Sequence, residues 1–160
     1  MHIRKASKSD FEFIHPLLIE VFSKGDSYVF SNDIPKTEIY NIWMKNTQRV
    51  YVAVVDEKIQ GTYYIKPNQP GRGAHVCNAG YIVSSEARGK GIGKLMCLHS
   101  IIESKKLGYS AMQYNLVVST NVGAIKVWRD CGFEIVGTLP NAFNHKELGY
   151  VDAFVMFKKL

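Results

Sequence analysis

Apolar residues recur along the chain with two different periods, and each change of period marks an element. His2 to Ala6 alternates weakly, as an opening strand would. Ser7 to Asp10 offers an N-cap. Behind it Phe11, Ile14, Leu17, Leu18, Val21 and Phe22 fall on one helical stripe. Pro16 interrupts that stripe, and its missing N–H and bulky ring predict a kink or two short helices. Lys24 to Tyr28 reads as a loop. A second helix opens at Pro35 with Ile39, Ile42, Trp43 and Met44 on its apolar side. Two β-rich runs, Arg49 to Val55 and Ile59 to Lys66, flank a turn at Asp56–Lys58 and predict a hairpin. Pro67 to Gly73 is turn-rich, and His75 to Val83 is a longer strand.

In the second half the periods alternate. Ile92, Leu95, Met96, His99 and Ile102 space a helix that ends near Leu107–Gly108, where glycine suits the C-cap. Ala111 to Val118 is almost wholly apolar, as a buried parallel strand is. Ser119 to Asn121 can cap a helix carrying Ala124, Ile125, Val127 and Trp128, which stops at Cys131-Gly132-Phe133. Glu134 to Leu139 is a strand, Pro140 to Gly149 a loop, and Tyr150 to Phe157 the last strand. Such alternation predicts an α/β fold with a partly parallel sheet. No repeat, low-complexity stretch or linker breaks the chain, so residues 1–160 are expected to form one domain.

Composition narrows the function classes. With 46% apolar and 21% charged residues the chain is an ordinary globular one. No apolar run nears the ~18 residues that a spanning helix needs, and Met1 to Ala6 is too polar for a signal peptide. A cytoplasmic protein without a membrane partner is expected. Cys77, Cys97 and Cys131 are odd in number, lie within apolar elements and form no CxxC pair. They read as buried reduced thiols, and no metal is expected. The net charge of +6 favours anions. The basic residues are scattered, except at 88–94 and Lys158-Lys159, and no nucleic-acid-binding signature accompanies them. A phosphorylated small ligand accounts for part of the balance; a nucleic-acid partner is not expected.

The chemistry concentrates between Tyr81 and Met96. A strand ending at Val83 feeds a short polar link, then Arg88-Gly89-Lys90-Gly91-Ile92-Gly93-Lys94, then a helix. Glycines allow close approach and φ > 0, the first helical turn has unpaired N–H groups, and the helix dipole adds partial positive charge. Such a turn is an anion cradle. It lacks the Gly-Lys-Ser/Thr of a P-loop and the spacing of a dinucleotide fingerprint.

The stretch does carry Arg-x-x-Gly-x-Gly in Arg88, Gly91 and Gly93. Downstream, Asn121, Ala124-Ile125, Trp128 and Gly132-Phe133 follow in order. In both motifs the chain resembles the GCN5-related N-acetyltransferase (GNAT) superfamily. The likeness spans nearly the whole chain and is motif-specific from about Val76 to Phe133. It implies a mixed sheet of about seven strands, splayed after the strand ending at Val83, with about four helices. It implies acetyl-coenzyme A as donor, held by Ile82, Val83, Arg88, Gly89, Lys90, Gly91, Ile92, Gly93, Lys94, Asn121 and Trp128. Homodimers are common in the superfamily, and the segment between its first two helices helps form the acceptor site. That makes Tyr28, Phe30, Tyr40 and Trp43 candidate pocket residues.

Asn78 and Asn115, in His75-Val-Cys-Asn78 and Gln113-Tyr-Asn115-Leu116, resemble a branch of the superfamily that acetylates the proline analogue azetidine-2-carboxylate. This implies a small amino- or imino-acid acceptor, with Asn78 and Asn115 stabilising the oxyanion and Leu116 beside them. Asparagine is depleted in strand interiors, so both need partners. His75 and Tyr28 are further candidates for the acceptor side. His75 and, less directly, Glu20 are candidate bases, whereas His99 reads as a core histidine. In many members the position of Trp128 is a tyrosine that protonates the leaving thiolate. Indole cannot do this, so packing against the coenzyme arm is the expected role. The alternatives are an acetyltransferase of peptide or protein amines, and a non-catalytic acyl-coenzyme A sensor.

Overall fold

The computed structural model describes residues 1–160. Its strands and helices are β1 (His2–Lys5), α1 (Phe11–Lys24), α2 (Lys36–Tyr40), β2 (Arg49–Val55), β3 (Lys58–Pro67), β4 (Val76–Val83), α3 (Ile92–Lys106), β5 (Ala111–Val118), α4 (Val122–Asp130), β6 (Glu134–His145) and β7 (Gly149–Lys159). All seven strands form one mixed sheet in the order β1-β2-β3-β4-β5-β7-β6. The β4–β5 pair is parallel and its neighbours are antiparallel. No helix is long and apolar enough to cross a membrane.

Strand alternation builds a core on each face of the sheet. Val50, Val52 and Val54 of β2 turn to α1, α2 and the helical turn Asn41–Lys45 that continues it, where they meet Ile14, Leu18, Ile39 and Trp43. Tyr51 and Ala53 turn the other way, to Met96, Cys97 and Ile101 of α3. The β2–β3 hairpin closes through Asp56 and Glu57, both at positive φ (47° and 62°), a tight turn whose twist suits antiparallel strands.

Three expectations need correcting. Of the two outcomes expected at Pro16, the split into two helices does not occur: α1 is continuous across it. One main-chain bond is forgone there, while Phe11, Ile14, Leu18, Val21 and Phe22 bury a stripe on both sides of the proline. The stretch after Leu139 is strand, not loop. β6 runs on to His145 with a register shift between Leu139 and Phe143, and only 146–148 are left to turn. β6 is an edge strand, so Pro140 interrupts no second ladder. Asn141, at φ 53°, donates its N–H to Asp152 Oδ1 at 2.9 Å within the irregularity. On α3 the buried residues are Ile92, Met96, Cys97, Ser100, Ile101 and Ser104, while Ile102 is 53% exposed. Two serines take inward positions that an apolar count passes over.

All three cysteines are buried and unpaired. Trp43 and Tyr40, expected near the pocket, belong to packing. The Trp43 indole N–H donates to Thr62 Oγ1 inside the core, and Tyr40 meets Phe11 edge-on.

At the start of α1, Asp10 accepts hydrogen bonds from both guanidinium N–H groups of Arg4 (2.7 and 2.8 Å) and from Ser7 N–H (2.6 Å). The bonds from Arg4 hold its carboxyl well below the ordinary aspartate range, against a burial cost that pushes it up. A carboxyl depressed by folding stabilises the protein fully above its unfolded pKa and stops doing so as the pH falls. Thermal melts of wild type should therefore lose ground progressively below about pH 4, and Asp10→Asn should flatten that acid limb. Identical limbs in the two proteins would remove Asp10 as a cause.

Candidate active site

β4 and β5 touch only at their starts, through Val76↔Ala111 and Cys77↔Met112, and then part. The polar groups exposed by that parting follow from strand parity. Asn68 N–H donates to Val76 O and Ser84 N–H to Gln60 O, both at 2.9 Å. With Tyr64↔Gly80 and Thr62↔Ile82 in register between them, the even-numbered residues of β4 exchange main-chain bonds with β3. Ala79, Tyr81 and Val83 must then point their N–H and C=O groups into the opening. Of the two residues expected to hold the donor arm, Val83 faces the wedge. The main-chain groups of Ile82 are taken by β3, and its side chain is in the core.

The wedge leads directly into the glycine turn. Gly89 and Gly91 have φ of 76° and 80°, a region that side chains disfavour, and nothing lies within 4 Å of a Cβ built on either. Gly93, by contrast, does not have positive φ, and an added Cβ would meet only Val83 Cγ2 at 3.9 Å. The N–H groups from Gly89 to Lys94 have no main-chain partner; the first bond of α3 is Leu95 N–H to Gly91 O. Arg88 and Lys90 are exposed beside them, and Lys94 approaches Asp130 of α4 at 3.7 Å. The turn is positively charged and has open space in front of its glycines.

On the α3 face the wedge is walled by aromatic rings. Tyr81 and Tyr114 hydroxyls are bonded at 2.9 Å, and Tyr81 also meets Ser100 Oγ at 2.6 Å. Burial lifts both phenols well above their ordinary values, so both stay protonated. Trp128 lies against Tyr81 and Tyr114, with ring centroids 4.8 and 5.1 Å away. Asn121 caps α4, its Oδ1 accepting from Ala124 N–H at 3.2 Å.

The opposite face carries the carboxamides. Asn78 is buried and its Nδ2 donates to Gln113 O at 2.9 Å, where the main-chain ladder between β4 and β5 has just ended. Its Oδ1 receives a long bond from the Tyr64 hydroxyl, 3.4 Å. Asn115 is exposed; its Nδ2 donates to Asn68 Oδ1 (2.7 Å) and its Oδ1 accepts from Gln113 Nε2 (2.9 Å). Gln113 thus links two asparagines that do not bond each other. Asn115 and Leu116 form a bulge: between Tyr114↔Met156 and Val117↔Phe154 they together oppose Val155 alone.

Tyr28 arrives from the α1–α2 segment and donates its hydroxyl to Tyr81 O at 3.0 Å. It also lines a cavity of about 380 Å³ with Phe22, Phe30, Phe143, Asn144 and Lys146. A strap bounds this cavity. Lys146 N–H donates to Gly25 O at 3.0 Å and Lys146 Nζ to Ser23 O at 3.2 Å, tying the β6–β7 turn to the end of α1. No sequence pattern pairs positions so far apart, so the strap residues were not foreseeable.

The base candidates do not gather here. His75 is exposed at the closed end of β4, its Nδ1 against Arg72 O at 3.1 Å. His99 lies behind the sheet against the Tyr63 hydroxyl, and burial lowers its pKa. For Glu20, burial alone would raise the carboxyl. Hydrogen bonds from Ser85 and Lys24 outweigh it and hold the group below its ordinary value.

Among known proteins, the model of the acetyltransferase (GNAT) family matches residues 12–133. N-acetyltransferase aca1 of Schizosaccharomyces pombe is 38% identical over 106 residues, 64% of this chain and 51% of that protein. Protein SPT10 of Saccharomyces cerevisiae is 38% identical over 87 residues, 54% of this chain and 14% of that protein. The aligned part of the chain thus spans about half of the first relative and a small part of the second. A GCN5-related N-acetyltransferase from Kribbella flavida superposes with a TM-score of 0.95 at 36% identity, over 99% of this chain and 97% of that one. The yncA protein of Salmonella typhimurium, solved with its cofactor acetyl-CoA, shares the fold alone: TM-score 0.84 at 18% identity, over 100% of this chain and 94% of that one.

Proposed function

We propose that this chain, which belongs to the acetyltransferase (GNAT) family, transfers the acetyl group of acetyl-coenzyme A to the amine of a small molecule of the amino- or imino-acid class. One observation carries the reading: the main-chain groups of Ala79, Tyr81 and Val83, which have no strand partner on the β5 side, lead into the unpaired N–H groups of the Gly89–Lys94 turn. The first row suits an amide-bearing arm added like a strand; the second suits a diphosphate. The fission-yeast relative, an N-acetyltransferase, agrees with it.

In this reading Arg88, Lys90 and Lys94 add charge to the backbone cradle. Asn121 and Trp128 border the donor from α4, Trp128 by packing. The donor supplies an activated acyl carbon. Asn78 keeps one amide hydrogen after bonding Gln113 O, and Asn115 offers a second carboxamide on the same face; both are assigned to the oxyanion. Holding amine and acyl carbon in line supplies much of the acceleration, about 7 kcal/mol in good cases. An acceptor that arrives as the ammonium sheds its first proton to water before attack, since neither His75 nor His99 borders the wedge. Leu116 and Tyr28 shape the acceptor side.

The strap from Lys146 to Gly25 and Ser23 supports a small acceptor over a peptide, because it walls one side of the cavity beside Tyr28. Free coenzyme A released across a panel of amines tests this. Azetidine-2-carboxylate, proline and small α-amino acids should be turned over, and peptide amines should be slower by ~100-fold or more. Preference for a peptide would reverse the assignment, and coenzyme binding with no turnover would point to a sensor.

A further inference from the structure

The hydroxyls of the aromatic wall are turned to one another rather than to the free edge of β4. Trp128 has only an indole N–H, and the Tyr81 and Tyr114 hydroxyls bond each other on the α3 side of the sheet. Cys97 lies with them, its Sγ 3.7 Å from the Tyr114 oxygen. Lys94 is drawn to Asp130, and Lys146 Nζ is engaged with Ser23 O. One hydroxyl does reach the free edge of β4. Tyr28 Oη donates to the carbonyl of Tyr81, one of the three residues whose main chain faces the opening. That position lies between Val83, next to the diphosphate cradle, and Cys77, where the β4–β5 pairing shuts the wedge. An arm laid along this edge from the cradle toward the closed end passes Tyr81.

We infer that Tyr28 is the proton donor to the sulfur that leaves the acetyl group, acting from the acceptor face where Trp128 cannot act from α4. The inference rests on the acetyltransferase reading above. The amine lone pair forms the C–N bond and the electrons of the C–S bond pass to sulfur. The Tyr28 O–H proton goes to that sulfur. The proton shed by the acylated nitrogen returns to the Tyr28 oxygen, so an amide, a free thiol and an intact phenol result. The geometry suits a donor that waits protonated. Phe22 and Trp43 hold the ring, with centroids 5.7 and 6.2 Å away, and the Tyr81 carbonyl keeps the hydroxyl aimed at the edge until the donor arrives. A phenol is protonated through the neutral range, and burial raises this one further.

The test uses the whole chain with coenzyme A, the product thiol, bound. Thiolate absorbance in the ultraviolet is followed as the pH is raised. With Tyr28 present, the bound thiol should titrate ~1–2 units lower than in Tyr28→Phe, because a hydrogen bond to the charged form is lost. In the same variant kcat should fall ~100-fold with little change in donor KM. Tyr64→Phe, which removes the neighbouring phenol, should leave the thiol titration at its wild-type position. An unshifted thiol in Tyr28→Phe overturns the role, as does an equal shift in Tyr64→Phe. Fluorotyrosine at position 28 keeps the ring in place and acidifies the phenol. It should move the high-pH limb of kcat to lower pH, and an unmoved limb counts against the inference. If wild type binds no coenzyme A at all, it is the acetyltransferase reading that falls.

Discussion

Gly89→Ala combined with Gly91→Ala should weaken acetyl-coenzyme A binding by roughly 30- to 1000-fold. Both residues sit in the left-handed region, at φ 76° and 80°, and each alanine there costs about 1–2 kcal/mol. A Cβ at either site meets nothing within 4 Å, so no clash spreads into the fold. The turn can relieve the strain by rotating, and rotation aims its N–H groups away from the diphosphate. Gly93→Ala should behave differently. Gly93 is inside α3 without positive φ, so alanine gains about 1 kcal/mol of helix propensity and should raise the melting temperature. Its methyl group nonetheless stands beside Val83, at the mouth of the wedge, and should cost donor affinity. Titration calorimetry with acetyl-coenzyme A, alongside thermal melts, reads both quantities. Unchanged affinity in the double variant would mean that the diphosphate is held elsewhere.

The turn was legible in the sequence because its requirements are local. Positive φ, free N–H groups and flanking charge all fall within Arg88 to Lys94, and the switch of period at Val83 marks where strand becomes helix. β2, β5 and α4 were read from the chain for the same reason: each satisfies its period with its own residues. The errors have a common cause in partners far away in sequence. Pro16 is tolerated because α1 is pinned to the sheet on both sides of it. Pro140 extends a strand because that strand lies at an edge, and order in a sheet is not a local property. Ser100 and Ser104 face inward because Tyr81 and Cys77 meet them, at 2.6 and 3.5 Å. The stripe assigned to α3 leaned the wrong way for that reason. On the donor edge, parity alone would have selected Tyr81 and Val83 over Ile82, had the β3 register been known.

The two asparagines test how far a pattern of residues can be trusted to report chemistry. They look equivalent in sequence, each a carboxamide in an apolar strand, but their surroundings differ. Asn78 donates to the Gln113 carbonyl just beyond the last β4–β5 main-chain pair, so it sutures the strands where they part. Asn78→Ala should leave that carbonyl unsatisfied and cost about 2 kcal/mol, a fall of roughly 4–8 °C in melting temperature. Turnover would drop with it, because the wedge loses its fixed width. Asn115 is exposed and bonds only side chains, Asn68 and Gln113, so Asn115→Ala should alter stability by no more than about 0.5 kcal/mol. If its carboxamide meets the developing oxyanion, kcat should nevertheless fall ~100-fold with donor affinity intact. The two variants therefore separate along different axes, melting temperature for Asn78 and kcat alone for Asn115. Should Asn115→Ala instead weaken donor binding and spare kcat, Asn115 belongs to the donor side, and the acceptor face must rely on Asn78 and Tyr28.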